Sequence, residues 1–274
     1  MTSTGGRSQA GRWDVAARRD GAFFAAAGIV FVAGVAATVY LCRSMADGMS
    51  MPGGWTMSMA WMKMPDQAWA GAAAAFTGVW LLMTIAMMLP SLVAMLVPWR
   101  RAARASGVAR LGGPTLVASA GYFLVWSVAG VAIYPLGIWS AMAAMQWPAV
   151  ARLVPLATGL AVLAGAVVQL TPWKARQLSC CRIAPAAVSR LPGPGAWRHG
   201  LRLGVRCTLC CGSLMAMLLV AGVMDLGAMA LVAAAITFER IAPRPAAAAR
   251  AVGIASLVVG AVIVARALLG GGRH

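Results

Sequence analysis

The sequence predicts an all-α bundle of about seven transmembrane helices, on three grounds. Of 274 residues, 61% are hydrophobic and only 11% charged, with a mean hydropathy of +0.81, which excludes a water-soluble globule. Apolar runs recur at the roughly 20-residue length that crosses a bilayer core. The charges, 23 Lys and Arg against 6 Asp and Glu, sit between those runs. In a soluble protein the net charge of +17 would suggest nucleic acid. Here it marks the loops of a polytopic protein whose partner is the lipid bilayer. Each span is expected to be helical, because unpaired backbone amides in hydrocarbon cost several kcal/mol and the period-2 alternation of barrel strands is missing.

The elements follow in chain order. Residues 1–21 read as a basic tail, 22–269 as one transmembrane domain and 270–274 as a short outer tail. Spans are expected near 22–42, 68–98, 115–139, 149–171, 205–224, 226–242 and 249–269. The first follows Arg18 and Arg19 and is longer than the apolar region of a signal peptide, so it reads as a retained helix. The second exceeds the bilayer thickness and carries Pro90, predicting a tilt or a kink. The fifth and sixth are split by Gly222-Val-Met-Asp-Leu-Gly227, a composition suited to a tight reversal. The two longest polar-leaning segments are 43–67 and 172–204, and Leu191-Pro-Gly-Pro-Gly195 in the latter is incompatible with regular helix.

With the N-terminus inside and the C-terminus outside, 18 basic residues fall on the inner side and 5 on the outer. The reverse topology would invert that bias. No Gly-rich phosphate loop and no Ser-His-Asp set is present, and there are two histidines. The sequence therefore points away from nucleotide hydrolysis and hydrolase chemistry.

Sulfur is the chemical signal. Seven of the 18 methionines fall between Met45 and Met64: Met45, Met49, Met51, Met57, Met59, Met62 and Met64. Thioethers are soft, uncharged donors that suit Cu(I) and stay usable in an oxidising exterior. The rival reading is interfacial anchoring beside Trp55, Trp61 and Trp69. On the second span Met83, Met87, Ser91 and Met95 share a helical face with Met88 beside them, a thioether ladder or apolar packing.

Five of the six cysteines fall on the expected inner side. Cys180 and Cys181 lie in the long loop, and Cys207, Cys210 and Cys211 lie where the fifth span begins. The spacing i, i+3, i+4 puts the last three on one helix face. The cytosol keeps thiols reduced, which leaves metal ligation or redox work rather than a structural disulfide. His199 sits two turns earlier if the helix extends that far, and Arg198, Arg202 and Arg206 nearby favour thiolate. Cys42 stands alone and reads as a packed residue. Glu239 is expected to pair with Arg240 or Arg244 at the surface, and Asp225 to sit at a helix end.

Ala86-Met-Met-Leu-Pro-Ser91 with Met95, then Gln169-Leu-Thr-Pro-Trp-Lys174, Cys207-Thr-Leu-Cys-Cys211 and Gly222-Val-Met224 occur in an order that resembles the bacterial predicted metal-binding integral membrane proteins known as domain of unknown function 2182. The resemblance spans roughly residues 45 to 245. It implies metal binding and a multi-pass location in the bacterial inner membrane, but no reaction. The chain departs from that pattern at Gln177, where the family has cysteine, and at Leu203, where it has histidine; either Cys180 and His199 substitute sterically or the site is weakened.

The expected function is binding of a soft transition metal, copper before zinc, for uptake, storage or delivery to a membrane or periplasmic protein. Outer methionines, with Met87 and Met88 within the bilayer, would accompany an inner cluster of Cys207, Cys210 and Cys211 with Cys181. The rivals are a thiol redox protein cycling vicinal cysteines and a scaffold without chemistry that assembles through small-residue faces such as Gly71-Ala-Ala-Ala-Ala75.

Overall fold

A computed structural model describes residues 5–44, 48–62, 67–108, 110–182 and 194–270; the side chains of 5–19, 59, 180–182, 194 and 270 lie outside that description. Its elements are helices α1 (Gly5–Ser44), α2 (Trp69–Ala105), α3 (Gly112–Gln146), α4 (Pro148–Leu170), α5 (Pro172–Arg182), α6 (Pro194–Gly222), α7 (Leu226–Ile241) and α8 (Pro245–Gly270), with a hairpin of strands β1 (Met49–Met51) and β2 (Trp55–Met57) after α1. Six of the helices, all but α5 and α7, are long and apolar enough to cross a membrane, so the chain is a multi-pass helical membrane protein. Many large apolar side chains face outward, among them Ile29, Leu116, Trp139, Val258 and Leu269. Hydrocarbon surroundings make that arrangement favourable where water would not.

Several expected boundaries move. Helix α1 begins at Gly5, so the basic tail is largely helical. Helix α2 runs unbroken through Pro90 and Pro98 for 37 residues, about 55 Å at 1.5 Å per residue. Segment 172–204, expected as a loop, contains α5, and α6 begins at Pro194 rather than near 205, proline being compatible with a first helical turn. The expected sixth span is the 16-residue α7. Its first-turn residue Met229 touches Cys42 on α1, and Arg240 in its last turn touches Cys207 on α6. The turn before it is as expected: Gly222 has φ +134°, a conformation that suits glycine, and Asp225 caps α7 by accepting from Ala228 N–H at 2.8 Å. That cap places Asp225 at a helix end, as expected.

Within the 43–67 segment, strands β1 and β2 form a docked hairpin. The Trp55 indole donates to the Ala151 carbonyl at 2.9 Å, and Met51 and Met57 are buried with Ala141, Ala144 and Ala151. At the opposite end Arg100 is pinned by Thr115 at 2.6 Å and by Asp20 at 3.3 Å, beneath the Phe23 ring. Asp20 also pairs with Arg104.

A close small-residue contact within the bundle is made by Gly200-Leu-Arg-Leu-Gly204 on α6. A Cβ on Gly200 would strike the Ala118 backbone, and one on Gly204 would lie 2.9 Å from the Tyr122 carbonyl and from the Val125 side chain. Close approach through glycines is a recurrent solution for membrane helices. It brings Tyr122 on α3 against α6. Gly200→Ala is expected to destabilise the detergent-purified protein by about 1–3 kcal/mol through overpacking, read as a lower thermal midpoint; an unchanged midpoint would mean that this crossing is looser than described.

Candidate metal centre

Helix α6 places Cys207 and Cys211 one turn apart on its inward face. Both are buried, and their Sγ atoms stand 3.8 Å apart. Taking the metal–thiolate length of about 2.3 Å known for zinc, two sulfurs on one trigonal or tetrahedral ion stand about 3.8–4.0 Å apart. The thiols are thus spaced as ligands while being far too distant for a disulfide; the four cysteines with described side chains are free thiols.

Arg240, from the last turn of α7, reaches into this pair. One guanidinium nitrogen donates to Cys207 Sγ at 3.2 Å and to Cys211 Sγ at 3.5 Å. The other reaches Met95 Sδ on α2 at 3.2 Å. Three sulfur atoms from two helices therefore surround one cationic group. The Tyr122 hydroxyl adds a donor to Cys207 Sγ at 3.0 Å.

A second polar layer lies beside this one. Lys174, fully buried, donates to the Cys210 carbonyl at 2.6 Å and pairs with Glu239 at 2.8 Å. Gln169 Nε2 donates to the other Glu239 oxygen at 2.6 Å, and the Ser213 hydroxyl donates to Gln169 Oε1 at 3.2 Å. Buried charge is costly unless paired, and this network accounts for each of these groups. It corrects two expectations. Glu239 is only 1% exposed and binds Lys174 across the bundle rather than a surface arginine. Lys174, Arg240 and Arg100, counted among the inner loop charges, are buried.

The other expected site residues are distributed differently. Cys210 is buried beside Cys211, yet among the described residues no three His, Cys, Asp or Glu side chains are arranged to hold a metal ion. The Met95 thioether is the sulfur that shares the Arg240 guanidinium with the Cys207–Cys211 pair. His199 stacks on Trp99, ring centroids 5.2 Å apart, and its Nε2 has no hydrogen-bond partner; no contact joins it to the thiols. Met87 and Met88 are buried in the apolar core of α2. Met57, in β2, is buried against Ala141, Ala144 and Ala151, and Met62 is half-buried. The Cys180, Cys181, Met59 and Met64 side chains lie outside the described residues.

Sequence reasoning missed Tyr122, Arg240 and the Gln169–Lys174–Glu239 network, and it left Met95 out of the metal set. A signal did exist: Gln169 and Lys174 bound one of the quoted strings, and both grip Glu239. An unpaired intramembrane acid implies a basic partner, but nothing in one dimension says which of 23 bases it is.

Comparison with known proteins adds one match. The profile of a family described as "PpoB2: Copper chaperone" matches residues 77–263, a range containing every group of the two layers. No curated protein and no solved structure matches the chain.

Proposed function

The chain belongs to the PpoB2 copper chaperone family, and on that premise we propose that it carries Cu(I) between Cys207 Sγ, Cys211 Sγ and Met95 Sδ for delivery to a partner protein. The family name stands in place of the domain-of-unknown-function label; the two agree in metal handling. The observation that carries the reading is the convergence of those three sulfurs on one guanidinium. Two thiolates and a thioether form a soft donor set, which favours Cu(I) over zinc.

Arg240 has a role in this reading. Two thiolates on Cu(I) leave one net negative charge, and an uncompensated charge inside a membrane is expensive. The guanidinium supplies the compensation. It lies within hydrogen-bond reach of all three sulfurs, placed to serve as counter-ion to the cargo. Tyr122 holds Cys207 through its hydroxyl. The rigid second layer fixes α5 and α7 against α6, so the donors are preorganised.

The hairpin end is proposed to face outward, with exposed Met49 and half-buried Met62 offering thioethers for first capture. Met49→Leu/Met62→Leu is expected to slow copper loading without changing the final content; an unaltered loading rate would remove the hairpin from the mechanism.

The central test is elemental analysis of detergent-purified protein with X-ray absorption at the copper edge. Stoichiometric copper in a sulfur-only shell is expected, and nitrogen or oxygen donors would exclude the assignment. Arg240→Gln is expected to weaken Cu(I) binding about tenfold, or 1.4 kcal/mol, through loss of the counter-charge. Undiminished affinity would reduce Arg240 to a packing role.

A further inference from the structure

The hairpin end of the bundle holds a second group of sulfurs. Cys42, near the end of α1, is 4% exposed, and its thiol donates to Met224 Sδ at 3.8 Å and to Met229 Sδ at 4.0 Å. These residues come from α1, the α6–α7 turn and the first turn of α7. The separations fall in the range of about 3.8–4.0 Å expected of sulfurs sharing one soft ion.

The two methionines are held on a braced turn. Asp225 N–H donates to the Gly222 carbonyl at 3.2 Å, Met229 N–H donates to the Asp225 carbonyl at 2.9 Å, and the Asp225 side chain caps α7. Thr38, one turn before Cys42 on the same face of α1, is 4% exposed, and its hydroxyl has no partner. Buried hydroxyls are ordinarily hydrogen-bonded, so this face carries polar capacity that protein packing does not use. Met224 is half-buried, leaving the group approachable from the hairpin end.

We propose that Cys42, Met224 and Met229 form a second Cu(I) site, distinct from the Cys207–Cys211 pair. One thiolate and two thioethers neutralise Cu(I) with no charge left over. This site therefore needs no counter-ion, unlike the one beside Arg240. With a single thiolate it binds more weakly than the cysteine pair, which makes it a receiving station from which the ion passes downhill. Met224 and Cys207 lie 17 positions apart in the sequence, about 25 Å along a helical rise, so the two sites fill independently.

Titration of full-length protein in detergent with Cu(I), against a competing chelator, tests this. Two equivalents are expected for the natural chain and one for Met224→Leu/Met229→Leu, whose substitutions keep volume and leave Cys42 in place. One equivalent is also expected for Cys207→Ser/Cys211→Ser. In that last variant, one equivalent of Cu(I) should slow alkylation of Cys42 by about tenfold or more, as ligand occupancy protects a buried thiol. Two equivalents retained by the Met224→Leu/Met229→Leu protein, or unprotected Cys42, would overturn the second site and leave the first intact. Two equivalents retained by Cys207→Ser/Cys211→Ser would overturn the first site while leaving this one standing.

Discussion

Cys207→Ser/Cys211→Ser is expected to lose the tightly held copper of the inner site entirely, the largest functional effect of any pair of substitutions in the chain. Serine preserves the shape of both side chains, so packing around α6 changes little. What changes is the donor: a hydroxyl is hard and does not ionise near neutrality, whereas Cu(I) seeks thiolate. The remaining ligand, Met95, binds too weakly to hold the ion alone. Competition titration should show the high-affinity phase gone while the thermal midpoint stays within a few degrees. Adding Cys210→Ser should have little further effect on affinity if Cys210 Sγ is not a ligand. A further fall would enlist it as a donor. Retention of the high-affinity phase in the double variant would refute the Cys207–Cys211–Met95 assignment outright.

The largest structural effect is expected at Lys174. Its ammonium is fully buried against Glu239 and the Cys210 carbonyl. Lys174→Met removes the cation that pairs with the buried Glu239 carboxylate at 2.8 Å. Removing one partner of a buried pair typically costs about 3–5 kcal/mol, a large share of the stability of most proteins. Glu239→Gln should cost a similar amount by stranding the lysine. The double variant Lys174→Met/Glu239→Gln leaves no unpaired charge and is expected to recover a substantial part of the loss, because contacting residues couple by roughly 0.5–3 kcal/mol. Thermal and denaturant unfolding of the four proteins in one detergent measures the coupling. Additive losses would mean that the pair contributes little as a pair. Because this layer braces α5 and α7 against α6, Lys174→Met should also loosen Arg240 from the thiols and lower copper retention.

Hydropathy and base placement were enough to foresee a polytopic helical bundle, and the Gly222–Gly227 reversal could be read from composition because turn chemistry is local. The helix ends could not. Helix α5 and the early start of α6 fall in a segment that is polar by composition, yet Lys174 and Leu178 in α5 are buried, and local pattern cannot register contacts with distant helices. The 16-residue α7, by contrast, was legible: Leu226–Ile241 matches the expected 226–242 almost residue for residue.

Of the candidate centre, spacing alone determined that Cys207 and Cys211 share a face, because residues four apart on a helix always do. Whether Cys210 or Cys181, His199 or Met95 joined them was undecidable in one dimension. The tertiary structure brought Met95 and the thiols to one guanidinium, placed Tyr122 on Cys207, and set Glu239 against Lys174. It also moved His199 onto Trp99 and drew Met224 and Met229 to Cys42. The physical reason is common to all of them. A helix fixes neighbours within itself, whereas contacts between helices depend on crossing positions set by close-packing glycines such as Gly200 and Gly204 and by the need to pair every buried charge.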